Sequence, residues 1–280
     1  MNDRLYDMAA LDMDGTLLNS DNDITPYSRE ALRRADEAGK VIALCTGRSL
    51  SELRYQLVKV PSVRYAISES GGCLYDVRND RVMRQLVIER EKGERLFDLA
   101  KGYDVLYQVF FGSQSYMQPV DAPDRMDHWN VAQFRINYVM GSKFVSDVRS
   151  LWRESGLPLE KFNLYFTSAR ERQRFREEMG DMGLFGADGQ GPSGIEISPP
   201  DAKKSLGLKA LCERLGIPVE RTMGVGDGGN DIDLMSAAGF SVAMGNAVRE
   251  VLDLADATTE DCDHDGAAKA VLRYMLGERP

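Results

Sequence analysis

The stretch Met8-Ala9-Ala10-Leu11-Asp12-Met13-Asp14-Gly15-Thr16 runs four apolar residues into a carboxylate and meets a second carboxylate two positions later. A short continuous apolar run that stops at a charge reads as a strand buried on both faces, as in a parallel sheet. Working outward, Thr25 stands as a helix N-cap with Pro26 at the first helical position, and Gly39 as the C-terminal stop. Val41-Ile42-Ala43-Leu44-Cys45 is a second buried run, ending at Thr46-Gly47-Arg48. Ser49 caps a short helix carrying Leu50, Leu53 and Leu57, and Tyr65-Ala66-Ile67 is a third strand. The last third keeps the rhythm. Ile195-Glu196-Ile197, Thr222-Met223-Gly224-Val225 and Ser241-Val242-Ala243-Met244 read as strands, with helices around 206–215, 232–238 and 248–255. Strands alternating with helices predict a parallel sheet covered on both faces.

The middle, roughly Met83 to Pro192, is different. It has more aromatic residues, an amphipathic pattern through Phe144, Val148, Leu151 and Trp152, and a polar stretch from Gly112 to Asn130 expected to be irregular. It reads as an α+β domain inserted into the first. At roughly 150 residues per domain, a chain of 280 residues has room for both.

With 44 acidic against 35 basic residues the net charge is −9, which argues against a phosphate-neutralising nucleic-acid binder. A hydrophobic share of 43% supports a sizeable core rather than disorder. No apolar run approaches the roughly 18 residues of a membrane span. The stretch Met1–Asp7 is too acidic for a signal peptide. Cys45, Cys73, Cys212 and Cys262 lie far apart without a CxxC pair, and read as reduced residues of a cytoplasmic protein.

Asp12 and Asp14 sit where the first strand gives way to a loop, at the edge where open α/β sheets bind ligands. Like charges this close are costly without a cation or a shared proton. Alone, the pair reads equally as a polar turn. Gly224-Val225-Gly226-Asp227-Gly228-Gly229-Asn230-Asp231 ends another strand and opens a helix, with Asp227 and Asp231 one helical turn apart. Asp12, Asp14, Asp227 and Asp231 could converge as an all-oxygen site for a hard cation, and few carboxylates plus waters suit Mg²⁺. Lys204, at a helix start, gains meaning only beside these clusters.

The set resembles the haloacid dehalogenase-like hydrolases, in particular the Cof-type phosphatases. DxDGT stands at Asp12–Thr16, the threonine motif at Thr46-Gly47-Arg48, the lysine at Lys204 and GDGxND at Gly226–Asp231. Met235, Met244-Gly245-Asn246-Ala247 and Asp265-Gly266 match further. The resemblance implies a Rossmann-like parallel-sheet core over residues 1–82 and 193–280, with helices on both faces, and an inserted cap domain over 83–192 that selects substrate. It implies Asp12 as the nucleophile that becomes an aspartyl-phosphate, and Asp14 as general acid and then base. Mg²⁺ would be held by the Asp12 carboxylate, the Asp14 carbonyl and Asp227, with Asp231 ligating or orienting. Thr46 and the Gly47 amide would hold phosphoryl oxygens, Lys204 would offset charge, and Asn230 would help bind substrate or phosphate. Two positions depart from the family pattern. Ser70-Gly71 replaces its usual Asn-Gly, and Ser205 replaces the glycine after the lysine. Lys203 is adjacent, and the spacing to Leu208 selects Lys204.

The expected activity is hydrolysis of a small phosphorylated metabolite, a sugar phosphate or phosphorylated cofactor, by a monomer or small homo-oligomer without nucleic-acid or membrane partners. A phosphate-transferring mutase would use the same residues. Gly224, Gly226 and Gly229 also fit GxGxxG, the dinucleotide pattern of an oxidoreductase. Against it, Asp227 inside the loop would repel a pyrophosphate, and the motif comes late in the chain. His128 and His264 read as surface residues.

Overall fold

A computed structural model describes residues 5–278; the first four residues of the acidic N-terminal stretch lie outside the described residues. In chain order the elements begin with β1 (Met8–Leu11), α1 (Pro26–Glu37), β2 (Val41–Cys45), α2 (Leu50–Lys59), β3 (Tyr65–Ser68), β4 (Cys73–Asp76) and β5 (Arg81–Gln85). They continue with α3 (Arg90–Ala100), β6 (Val105–Phe111), β7 (Gln114–Gln118), α4 (Ala122–Arg125), α5 (Arg135–Gly141), β8 (Ser142–Phe144), α6 (Val148–Ser155), β9 (Lys161–Phe166), α7 (Ala169–Met179), β10 (Phe185–Asp188) and β11 (Gly194–Ser198). The chain closes with α8 (Lys204–Leu215), β12 (Thr222–Gly226), α9 (Ile232–Ala237), β13 (Phe240–Ala243), α10 (Arg249–Leu254), β14 (Ala257–Thr258) and α11 (Gly266–Leu276). Two compact units result: residues up to Gly47, Tyr55–Arg84 and Lys203 onward, and Arg48–Arg54 with Gln85–Ala202.

The first unit is built on a sheet of order β14-β13-β12-β1-β2-β3-β4-β5. Its strands from β14 to β3 are parallel, and β4 runs antiparallel to β3. Leu11 lies level with Val225 on one side and Leu44 on the other. The loops that follow β1, β2 and β12 therefore emerge together at one edge, on either side of the strand where the order reverses. Continuous burial of β1 and β12 explains their uninterrupted apolar runs. Leu208, Leu211 and Cys212 of α8 pack on the face formed by Met8, Ala10, Ala43, Cys45 and Ile67. Ala31 of α1 packs with Ala268 and Leu272 of α11. α1 begins as its sequence dictates: the Ser28 N–H donates to the Thr25 side chain, and Pro26 occupies the first turn. Gly39, at φ +76°, accepts the left-handed turn that ends it.

The second unit contains a six-stranded sheet of order β10-β11-β9-β6-β7-β8, antiparallel except for the β7–β8 pair. One face is apolar: Val109, Phe111, Phe162, Leu164, Phe166, Ile195 and Ile197 pack with residues of α3, α6 and α7. The alternate positions include a polar row, Gln108, Asn163 and Glu196, level with one another on three adjacent strands.

Two expectations are corrected here. Ile195–Ile197 was expected in the parallel core, but it belongs to β11 of the antiparallel sheet, and the first unit resumes at Lys203 rather than 193. The Ile-Glu-Ile alternation is the period-two pattern of a strand with one polar side, unlike the continuous core runs. Gly112–Asn130 is not irregular throughout. It holds β7 and α4, and Met117, Ala122, Met126 and Trp129 are buried in one cluster. Among the described residues, no helix is long and apolar enough to cross a membrane.

Phe162 is fully buried and meets Phe97 edge-on at 4.8 Å between ring centroids. Phe162→Ala is expected to lower the unfolding free energy of the unit that carries it by about 3–5 kcal/mol, read by urea denaturation.

Candidate active site

β1 delivers Asp12 almost fully buried, at 4% exposure, with its N–H donating to the Val225 carbonyl at 3.0 Å. The chain then leaves the sheet through a tight turn, in which the Leu18 N–H reaches back to the Met13 carbonyl. Asp14 is thereby exposed. Gly15 has φ +78°, and a Cβ there would lie 2.5 Å from an Asp227 carboxylate oxygen. The Thr16 hydroxyl donates to Asp227 Oδ1 at 2.9 Å, which ties the first loop to the loop after β12.

That second loop is organised by Asp231. Its Oδ2 accepts the N–H groups of Asp227 (3.1 Å) and Gly228 (3.0 Å). Its Oδ1 accepts from Lys204 Nζ at 2.5 Å, and the same ammonium donates to Asp12 Oδ1 at 2.5 Å. Lys204 is 2% exposed and Lys203 is exposed, so it is Lys204 that the fold buries against the two carboxylates. A Cβ on Gly226 would stand 2.5 Å from the Asp231 Cβ, so the folded-back carboxylate requires a glycine there.

Thr46 is buried at the end of β2, with its N–H on the Ile67 carbonyl, and Gly47 follows half-buried. Asn230 is exposed in the turn before Asp231. The geometry thus brings Asp12, Asp227, Asp231 and Lys204 into direct contact or near it. Asp14, Thr46, Gly47 and Asn230 lie in the same three loops at the carboxyl edge of the sheet.

The electrostatics follow from burial. Asp12 is raised above the ordinary carboxylate range by desolvation; Lys204 opposes the shift, and Asp231 and Asp14 add to it. Asp227 is pushed up to about 6, by burial first and by Asp231 and Asp14 in addition, with the Thr16 hydrogen bond pulling the other way. Burial alone would lower the Lys204 ammonium, but Asp12 and Asp231 outweigh it and hold it charged. One oxygen each from Asp12, Asp227 and Asp231 lies within 4.8 Å of the others. Asp12 and Asp231 share one lysine with Asp227 beside them, and the surplus negative charge suits a hard divalent cation. Asp231 already accepts from three donors, which leaves Asp12 and Asp227 as the freer oxygen donors.

The same hydrogen bonds count against a dinucleotide loop. The amides that would cradle a pyrophosphate are taken by Asp231. Asn246 was given no role from sequence alone. Its amide nitrogen donates to the Gly15 carbonyl at 2.8 Å and approaches Asp227 Oδ2 at 3.4 Å, while its Oδ1 accepts from the Cys262 N–H. The available signal was a polar residue directly past a fourth strand end.

The haloacid dehalogenase-like hydrolase model matches residues 9–271. The phosphatase YwpJ of Bacillus subtilis (strain 168) is 28% identical, over 96% of this chain and 99% of its own. The 5-amino-6-(5-phospho-D-ribitylamino)uracil phosphatase YwtE of the same organism is 24% identical, over 96% and 98%. A crystal structure of a haloacid dehalogenase-like hydrolase from Bacteroides thetaiotaomicron superposes with TM-score 0.84 at 25% identity, covering 96% of this chain and 99% of that one. Fold, site and relatives together define a phosphoric monoester hydrolase. The chain belongs to the haloacid dehalogenase-like hydrolase family.

Gly226→Ala is expected to push Asp231 off its amides and to lower stability by about 1–3 kcal/mol in thermal or chemical unfolding. An unchanged midpoint would show that the loop tolerates the side chain.

Proposed function

We propose that this enzyme is a Mg²⁺-dependent phosphatase of small phosphorylated metabolites that works through an aspartyl-phosphate on Asp12. The observation that carries the reading is the buried Asp12–Lys204–Asp231 bridge beside Asp227. Asp12, Asp227 and the Asp14 backbone carbonyl would hold the ion, with Asp231 orienting the loop. When bound, Mg²⁺ supplies the positive charge that lets an anionic carboxylate approach an anionic phosphate.

The Asp12 oxygen attacks phosphorus while the bond to the leaving oxygen breaks. The Asp14 carboxyl, exposed and two residues on, gives its proton to that oxygen. A water then passes a proton to Asp14 and attacks the same phosphorus. The Asp12–phosphorus bond breaks, releasing inorganic phosphate and the free carboxylate. Lys204 opposes the upward shift that burial imposes on Asp12 and offsets charge, Thr46 and the Gly47 amide hold phosphoryl oxygens, and Asn230 assists binding.

The insert is assigned selectivity, because the phosphate machinery cannot tell one ester from another. Sugar phosphates and phosphorylated cofactors are the substrate classes, and the relative acting on a ribityl phosphate is compatible with both. Gly112–Asn130 is the stretch of the insert assigned that selectivity, through its polar side chains, since its apolar residues Met117, Ala122, Met126 and Trp129 are committed to a core. We place the enzyme in the cytoplasm, in line with its acidic charge and dispersed cysteines.

Asp12→Asn keeps the shape and removes the nucleophile, so phosphate release is expected to fall by orders of magnitude. Near-normal turnover in that variant would refute the mechanism. The raised carboxyls give a second expectation. Below about pH 6 Asp227 retains its proton, and a cation must displace it. Calorimetric Mg²⁺ affinity is therefore expected to strengthen as pH rises from 5 to 8, with proton release on binding. A pH-independent affinity would mean that these carboxyls are not ligands.

A further inference from the structure

Lys204 must hold its ammonium on two carboxylates, yet it is the first residue of its helix, where backbone is least constrained. The N-cap residue, Lys203, has only donors on its side chain and provides no cap. The helix start is fixed from outside instead.

On one side stands α9. The Ser205 N–H donates to Asp233 Oδ2 at 3.0 Å, so a carboxylate from a neighbouring helix caps the turn that carries Lys204. On the other side stands the turn after β3. Glu69 (φ +54°), Ser70 (φ +58°) and Gly71 (φ +99°) are left-handed in succession. Two of them bear side chains, a conformation costing of order 1 kcal/mol each that persists only where surroundings impose it. The Ser70 N–H donates to the Thr46 carbonyl at 3.0 Å. A Cβ on Gly71 would lie 2.1 Å from the Lys203 carbonyl oxygen and 3.0 Å from the Lys204 nitrogen. Gly207, one turn along, bonds back to the same Lys203 carbonyl, and a Cβ there would meet Ile67 Cγ2 at 2.4 Å. The turn therefore touches both the threonine loop and the start of α8, with no space between them.

We propose that Asp233 and Gly71 are positioning residues for Lys204, one capping its helix turn and the other setting its distance from the sheet edge. Resting on the phosphatase reading above, this adds two residues that touch no substrate and act through the lysine. Misplacing a charge-stabilising group by about 1 Å can cost on the order of a hundredfold in rate.

The test is a double-mutant cycle on turnover of p-nitrophenyl phosphate with Mg²⁺, with folding checked by thermal unfolding. Asp233→Ala is expected to lower kcat about tenfold to a hundredfold with KM within about twofold. Asp233→Asn, which keeps an oxygen acceptor for the Ser205 N–H, is expected to recover most of that loss. In a Lys204→Ala background Asp233→Ala is expected to cost less than about twofold more, because its target is gone. Gly71→Ala is expected to show the same non-additivity. If it does not fold, the Asp233 cycle decides alone. The proposal is overturned if Asp233→Ala leaves kcat unchanged, or if its loss is equal with and without Lys204. The phosphatase reading has its own check: Asp12→Asn retaining activity would sink that reading first, whatever the cycle shows.

Discussion

A buried ammonium shared by two buried carboxylates is the constraint on which the rest of the site depends. Each of Asp12, Lys204 and Asp231 is costly to bury without the others, since removing one partner would strand an uncompensated charge in a dry environment. The bridge joins segments 192 and 27 residues apart in sequence, so it forms only when the parallel sheet has assembled β1 beside β12 and α8 has docked. It also leaves the local charge unbalanced. Asp227 and Asp14 remain beyond what one lysine can offset, and the neighbouring carboxylates add to the upward displacement that burial imposes on Asp12 and Asp227.

Much of this was legible in the chain because the core strands are buried on both sides and end abruptly at polar loops. Met8–Leu11 and Val41–Cys45 are apolar without interruption and stop at Asp12 and Thr46, so strand and site could be read from one boundary. The four carboxylates and the lysine were chosen by residue type at strand ends and helix starts, which is where a parallel sheet gathers its loops. The legible signals end where a residue's meaning depends on a distant partner. Asp233 looks like any acid in a helix's first turn until Ser205 is found against it, and Asn246 has no role until Gly15 and Asp227 lie beside it. Ile195–Ile197 was misassigned because three residues do not reveal which sheet they will join. Gly112–Asn130 was read by its polarity, although Ser115 and Met117 point to the buried side of β7 while Gln114, Tyr116 and Gln118 do not.

Stability and function draw on different residues within the same unit. The sheet and the helices on its faces bury aliphatic side chains in an ordinary way. The loops at its carboxyl edge hold left-handed Glu69 and Ser70, glycines whose Cβ atoms would strike backbone or carboxylate, and a charge cluster costly to desolvate. Such strain is sustained only because the strands beneath are rigid, and it falls where chemistry needs groups held in place before substrate arrives.

The loop Gly224–Asp231 shows how one side chain reverses the electrical sense of a backbone motif. Its glycine spacing is that of loops that bind anions directly through backbone amides. Asp231 folds back and consumes the amides of Asp227 and Gly228, so the positive groups that would greet a phosphate are turned inward. The loop then presents Asp227, and its outward character becomes acidic. A free phosphate ester has no reason to settle against such a surface unless a cation lies between them. On the proposed function, the attraction for an anionic substrate would come from that cation, together with the threonine-loop amide and the bridging lysine. Affinity for phosphate would then be conditional on the metal, whereas a glycine loop with free amides would bind the same group without one.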